Sequence, residues 1–207
     1  PAVVNISAAP PKDSDDAEGG DNNALEGWLR RFFEDGQQPG EQGPVPPAPG
    51  GSLHASLGSG FIISADGYVV TNNHGVSPRG RGTGEEITVT MPDGTEYEAE
   101  MIGTDAESDL AVLKIQRREA FPFVKFGDSS QARVGDWVVA IGNPFGLGGT
   151  VTSGIISSVL RNTGAGAYDR YLQTDASINQ GNSGGPLFDM QGNVIGINNV
   201  ILSPSGG

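Results

Sequence analysis

The sequence predicts an all-β fold, a barrel or a sandwich, on three observations. Glycine and proline are abundant, 33 and 14 of 207 residues, and such turn residues favour many short strands over long helices. Apolar and polar residues alternate over short stretches between those turns. No strand–helix–strand rhythm and no G-x-G-x-x-G after a strand appear, so a nucleotide-binding fold is not supported.

The elements follow in chain order. Pro1-Ala2-Val3-Val4-Asn5-Ile6-Ser7 reads as a first strand. Strands over 60–64 and 68–71 flank Asp66-Gly67, a strong hairpin signal. Strands over 86–91 and 95–100 alternate as half-buried strands do, around Pro92-Asp93-Gly94. The stretch 109–115 is more continuously apolar, and strands over 137–142, 150–156, 171–174 and 193–197 complete the pattern. Regular short strands with Gly/Pro turns are the mark of a barrel or sandwich.

A chain of this length makes one or two domains and buries a core without staples. It carries 25 acids against 12 bases, a net charge of −13. That balance argues against a nucleic-acid partner, which needs a cationic face. No apolar run reaches membrane-span length. Cysteine is absent, which excludes disulfides, thiol catalysis and cysteine–metal sites. With two histidines and no H-E-x-x-H, no metal site is expected. No leader is visible; the strand-like beginning fits a cytosolic start or a processed one.

Residues 10–51 differ from the rest. Between Gly36 and Gly51, five glycines and five prolines fill ten of sixteen places, too little apolar surface to offset ordering entropy. The segment reads as a long, acidic, flexible insertion after the first strand. One island within it, Leu25, Trp28, Leu29, Phe32 and Phe33, has helical spacing. It is either a short helix packed on its own domain or an apolar anchor on a tether.

Chemistry concentrates in Gly181-Asn182-Ser183-Gly184-Gly185-Pro186-Leu187. A serine among glycines can hold its hydroxyl exposed, because glycine tolerates backbone that other residues avoid. Such a turn also aims N–H groups, here those of Gly181 and Ser183, into one hollow, as an acyl-transfer oxyanion requires. A nucleophilic serine needs a base. His54 ends the insertion and reads as a solvated loop residue, whereas His74 follows a strand and can point into a cleft. The base needs an orienting acid. Asp109, heading an apolar strand, is the first candidate, with Asp105 and Asp175 as rivals.

Four motifs occur in order: Thr71-Asn72-Asn73-His74, Ser108-Asp109-Leu110-Ala111-Val112, Ala140-Ile141-Gly142-Asn143-Pro144-Phe145-Gly146 and Gln180-Gly181-Asn182-Ser183-Gly184-Gly185-Pro186-Leu187. Together they resemble the HtrA (DegP/Deg) family of serine proteases in its bacterial envelope form, over about residues 1–9 and 53–207. The resemblance implies a chymotrypsin-like double β-barrel: a first barrel over 1–125 carrying His74 and Asp109, and a second over 126–207 carrying Ser183. It implies an ATP-independent endopeptidase of the periplasm that degrades unfolded or misfolded polypeptides and needs no cofactor. It further implies a homo-oligomer built on trimers, membrane-proximal at most. Ser183 would be the nucleophile, His74 the base, Asp109 the orienting acid, and the N–H groups of Gly181 and Ser183 the oxyanion hole. By the same resemblance Ser177, uncharged, lies at the base of the S1 pocket, and Ile178, Val200 and Ile201 form its wall. The insertion corresponds to a loop that reaches a neighbouring subunit, and 143–149, 160–170 and 201–207 to activation loops.

Three departures stand against the family pattern. Gly75 replaces the first of two aliphatic residues that usually follow the histidine, and a longer connection follows. The chain stops at Gly207, short of the family's last barrel strand, helix and PDZ domains, so the second barrel is expected incomplete. The insertion has no cysteines to close it. The alternative function is a protease-like scaffold that binds unfolded chains without cutting them.

Overall fold

In β1 (Val3–Ala9) successive side chains serve two different cores. Val4, Ile6 and Ala8 turn into one cluster with Ile62, Val69, Ile87, Val89, Leu113 and Ile115. Val3, on the opposite face, joins Phe61, Val70 and Val194 in another. The computed structural model describes residues 1–9, 56–76, 86–143, 149–161, 170–178 and 181–199, all within one compact unit.

The first cluster fills a closed antiparallel barrel. Its further strands are β2 (Ser56–Ile62), β3 (Tyr68–Asn72), β4 (Glu86–Thr90), β5 (Glu96–Asp105) and β6 (Leu110–Lys114), in the order β1-β2-β3-β6-β5-β4. Closure leaves no unpaired edge. The second half is an open five-stranded sheet, a half-barrel. It contains β7 (Trp137–Gly142), β8 (Thr150–Arg161), β9 (Tyr171–Thr174), β10 (Pro186–Phe188) and β11 (Val194–Ile197), in the order β11-β10-β7-β8-β9. Val138, Ala140, Ile156, Ala176 and Leu187 form its core. The cluster around Val3, Phe61, Val70 and Val194 lies between the two and is flanked by Ile141, Phe188 and Ile197. This seam also buries polar groups: Asn5, Ser59, Thr71, Asn72, Asn143, Asn182 and Asn198.

The all-β expectation holds, and the hairpin at Asp66-Gly67 forms, with Gly67 at φ +95°. Four local features differ from the sequence reading. β2 starts at Ser56 because β1 pairs with it as far as Ala8. β5 runs on to Asp105 through a register shift between Met101 and Gly103, beside β6. β10 was not expected; it follows the glycine-rich turn and begins on Pro186, a position where proline is tolerated. Residues 73–76, to which the sequence assigned no element, form one helical turn, α1 (Asn73–Val76), pinned by Val76 in the first barrel's core. The insertion at 10–51, its apolar island and His54 lie outside the described residues, as do most of 143–149 and 160–170 and all of 201–207.

Candidate active site

Asp109 precedes β6 with φ +55°, a left-handed backbone that costs about 1–2 kcal/mol for a residue with a Cβ. Three consecutive residues hold it there. The Asn72 side-chain amide donates to the Asp109 carbonyl at 3.0 Å, and the Asn73 N–H donates to the same oxygen at 3.0 Å. The His74 N–H donates to Asp109 Oδ1 at 2.8 Å. The carboxylate is thereby turned toward the His74 ring, whose Nδ1 lies 2.6 Å from Oδ2. Nδ1–H faces the carboxylate, so Nε2 is the nitrogen left free to take a proton. His74 is exposed and Asp109 half-buried.

The rival acids have other partners. Asp105 closes its own turn, accepting from Ser108 Oγ at 2.7 Å and from the Glu107 N–H at 3.0 Å. The Ser108 hydroxyl, then the Glu107 N–H, hold its carboxyl below the usual carboxylate range. Asp175 accepts from the Ile155 N–H at 2.7 Å and ties down β8. Neither touches His74.

The Ser183 turn docks onto the first barrel. The Ser183 carbonyl accepts from the Ser59 N–H at 2.8 Å. Gly184 has φ +84°, and a Cβ there would meet Ser59 O, Thr71 Oγ1 and Asn72 N. This contact requires glycine and brings Ser183 against the end of β3, two residues before His74. Gly181 also has positive φ, +93°. Among the described residues, the N–H groups of Gly181 and Ser183 have no hydrogen-bond partner, and no hydrogen bond joins Ser183 Oγ to the His74 ring. Hydrogen bonds of this kind often tighten only with substrate bound.

Of the proposed S1 residues, Ile178 is half-buried against the half-barrel core. Ser177 is exposed and its carbonyl accepts from Thr152 Oγ1 at 2.9 Å. Val200 and Ile201 lie outside the described residues. Gly75 lies beside the base, and a Cβ there would find open space. Sequence reasoning missed Asn72 and Ser59. Both lie just outside the strands read at 60–64 and 68–71; Asn72 stood in the Thr71-Asn72-Asn73-His74 motif without a role, and the signal for Ser59 was its place between Gly58 and Gly60, where small residues permit close approach.

A barrel and half-barrel that bring His74, Asp109 and the Ser183 turn to one seam define a peptidase of the trypsin-like class. Residues 58–197 match the family model of the trypsin-like peptidase domain, and the chain belongs to that family. It is 55% identical over 189 residues to a "probable periplasmic serine endoprotease DegP-like" of Brucella suis, covering 86% of this chain and 36% of that protein. A protein of the same description from Rickettsia conorii is 47% identical over 210 residues, covering 100% of this chain and 40% of the relative. The chain thus spans well under half the length of these curated relatives. Among solved structures, an HtrA-type protease AlgW with decapeptide superposes with a TM-score of 0.69 at 38% identity, covering 100% of this chain and 58% of that one.

Proposed function

We propose that this chain is the protease domain of a periplasmic serine endopeptidase that cuts unfolded or misfolded polypeptides. The observation that carries the proposal is the two-point hold of Asp109 on His74, at 2.8 Å and 2.6 Å, beside a serine turn that demands glycine.

Ser183 Oγ attacks the scissile carbonyl, and His74 Nε2 takes its proton and returns it to the leaving amine. Asp109 keeps the ring in the Nδ1–H tautomer and stabilises the imidazolium. The N–H groups of Gly181 and Ser183 receive the oxyanion. Water then hydrolyses the acyl-enzyme by the same relay. Ile178, Val200 and Ile201 wall a small apolar pocket above the uncharged Ser177. It accepts Val, Ala or Ile before the scissile bond and rejects Lys, whose unpaired charge is costly to bury. Assembly is a homo-oligomer built on trimers, and the substrates are polypeptides that have lost their fold. Support for the assembly and the substrates is the family resemblance; support for the periplasm is the description of the relatives.

The test is covalent labelling with a serine-directed phosphonate, read by intact mass, together with casein digestion and sequencing of the fragments. One adduct on Ser183, absent in Ser183→Ala, and cuts after small aliphatic residues are expected. A protein that binds unfolded casein but neither labels nor cuts it would be the non-catalytic scaffold instead. Cuts mainly after Lys, Arg or Phe would overturn the pocket assignment alone.

A further inference from the structure

Ser59, in β2, is fully buried in the seam. Its hydroxyl lies 2.5 Å from the Gly181 carbonyl and 2.8 Å from the Asn143 N–H. Its own N–H donates to the Ser183 carbonyl at 2.8 Å, and its carbonyl accepts from Thr71 Oγ1 at 2.7 Å. One residue of the first barrel therefore grips the carbonyls of both Gly181 and Ser183.

The hydroxyl has one proton to give. Asn143 N–H already points at its oxygen, so the proton goes to the Gly181 carbonyl. Asn143 is itself held: Asn5 Nδ2 donates to its carbonyl at 3.1 Å and to the Gly58 carbonyl at 3.3 Å. The rotor is thus locked from the far side of the seam.

The consequence falls on the turn. A trans peptide points its C=O and N–H in opposite directions, so anchoring one aims the other. Three successive carbonyls of the turn are anchored: Gly181 O by Ser59 Oγ, Asn182 O by the Gly185 N–H at 2.9 Å, and Ser183 O by the Ser59 N–H. The Asn182 anchor turns the Ser183 N–H away from it. The Gly181 anchor fixes the peptide that follows Gly181, whose φ is +93°. Among these three anchors only the Ser59 hydroxyl is a side chain.

We infer that Ser59 is a positioning residue of the nucleophile turn: its hydroxyl, locked by Asn143, holds the Gly181 carbonyl and its own N–H holds the Ser183 carbonyl, so the segment that carries the N–H groups of Gly181 and Ser183 is pinned on both sides of Asn182. This rests on the reading of those N–H groups as the oxyanion donors. It assigns to a barrel-one strand residue the alignment of a barrel-two donor pair.

The experiment compares the wild type with Ser59→Ala and Ser59→Cys, the second keeping a weak donor of similar size. Peptide hydrolysis in Ser59→Ala should lose about 10–100-fold in kcat, the scale of a small misplacement of reacting groups. KM should stay unchanged and Ser59→Cys should fall between. A peptide aldehyde, which forms a tetrahedral adduct, should bind more weakly by the same factor, while a cleaved-product peptide keeps its affinity. Amide NMR should show Gly181 and its neighbours to Gly184 shifted in a spectrum otherwise like the wild type. Wild-type kcat in a folded Ser59→Ala protein, or KM and product affinity failing alongside kcat, overturns the inference. If Ser59→Ala gives no cooperative melt, Ser59→Cys decides by the same readouts. A wild type that neither cuts nor labels removes the oxyanion reading. The Asn182 amide, in the same peptide as the Gly181 carbonyl, still decides the contact in that case: a signal unmoved on losing the hydroxyl means that Ser59 does not hold the turn.

Discussion

Both oxygens of Asp109 are taken by His74: Oδ1 accepts its backbone N–H at 2.8 Å and Oδ2 meets ring Nδ1 at 2.6 Å. A carboxylate bound at two points to one residue fixes that residue's backbone and its ring together. The grip works only because Asp109 sits at φ +55°, where Asn72 and Asn73 hold its carbonyl.

Asp109→Asn presents one acceptor where two are needed. Its amide either opposes the His74 N–H or faces Nδ1 and selects the wrong tautomer. The expected loss is about 10⁴-fold in kcat. Asp105→Asn and Asp175→Asn should keep near-wild-type kcat, since those carboxylates serve a turn and β8. Steady-state peptide hydrolysis by the three variants checks this, and a crippled Asp105→Asn protein would reassign the acid.

Gly94 and Gly184 share φ +84°, yet a Cβ on Gly94 meets nothing within 4 Å while one on Gly184 meets Ser59, Thr71 and Asn72. Gly94→Ala should cost only the left-handed backbone, about 1–2 kcal/mol. Gly184→Ala adds overpacking and should cost about 2–5 kcal/mol in all. Urea unfolding of the two variants separates backbone strain from packing. Equal losses would mean that the seam yields to the added methyl.

Gly75→Ala enters open space in α1. It removes glycine's excess chain entropy and should stabilise the protein by up to about 1 kcal/mol. Activity should hold or rise, because the base gains a stiffer backbone. The thermal midpoint and kcat measured together check this; a drop in kcat would show that the turn needs glycine's freedom.

Four exposed carboxyls lie below their ordinary value of 3.8. The first causes are the Ser64 hydroxyl for Asp66, the Thr95 N–H for Asp93, the Ser108 hydroxyl for Asp105 and the Ser130 hydroxyl for Asp128. A carboxyl lowered on folding lends stability above its unfolded value and loses it as pH falls through the folded one. The thermal midpoint should therefore drop below pH 3.8. An Asp105→Asn, Asp128→Asn double variant should lose less as pH falls below 3.8, because protonation of the two carboxyls no longer contributes. Parallel acid limbs for variant and wild type would rule these turns out as the cause.

Local chemistry was legible in the residues themselves. Asp66-Gly67 announced its hairpin, alternation announced β4, and glycines around Ser183 announced a turn with an exposed hydroxyl. These depend on φ and on side-chain period, which a few neighbours set. Asp109 could be preferred over Asp105 and Asp175 only weakly from pattern, because all three are acids in or beside turns or strand ends. What separates them is a contact across 35 residues of chain. Ser59 gave less sign still, for its partner Gly181 lies 122 residues away and Asn5 meets Asn143 across 138. Such contacts exist only once β1 and β2 have registered and the barrel and half-barrel have closed on each other. The sequence by itself determined most of the strands, the turns between them and the kinds of residue available for acyl transfer. Only the tertiary structure decided which of them meet, because hydrogen-bond geometry across a seam follows from packing and register, not from spacing along the chain.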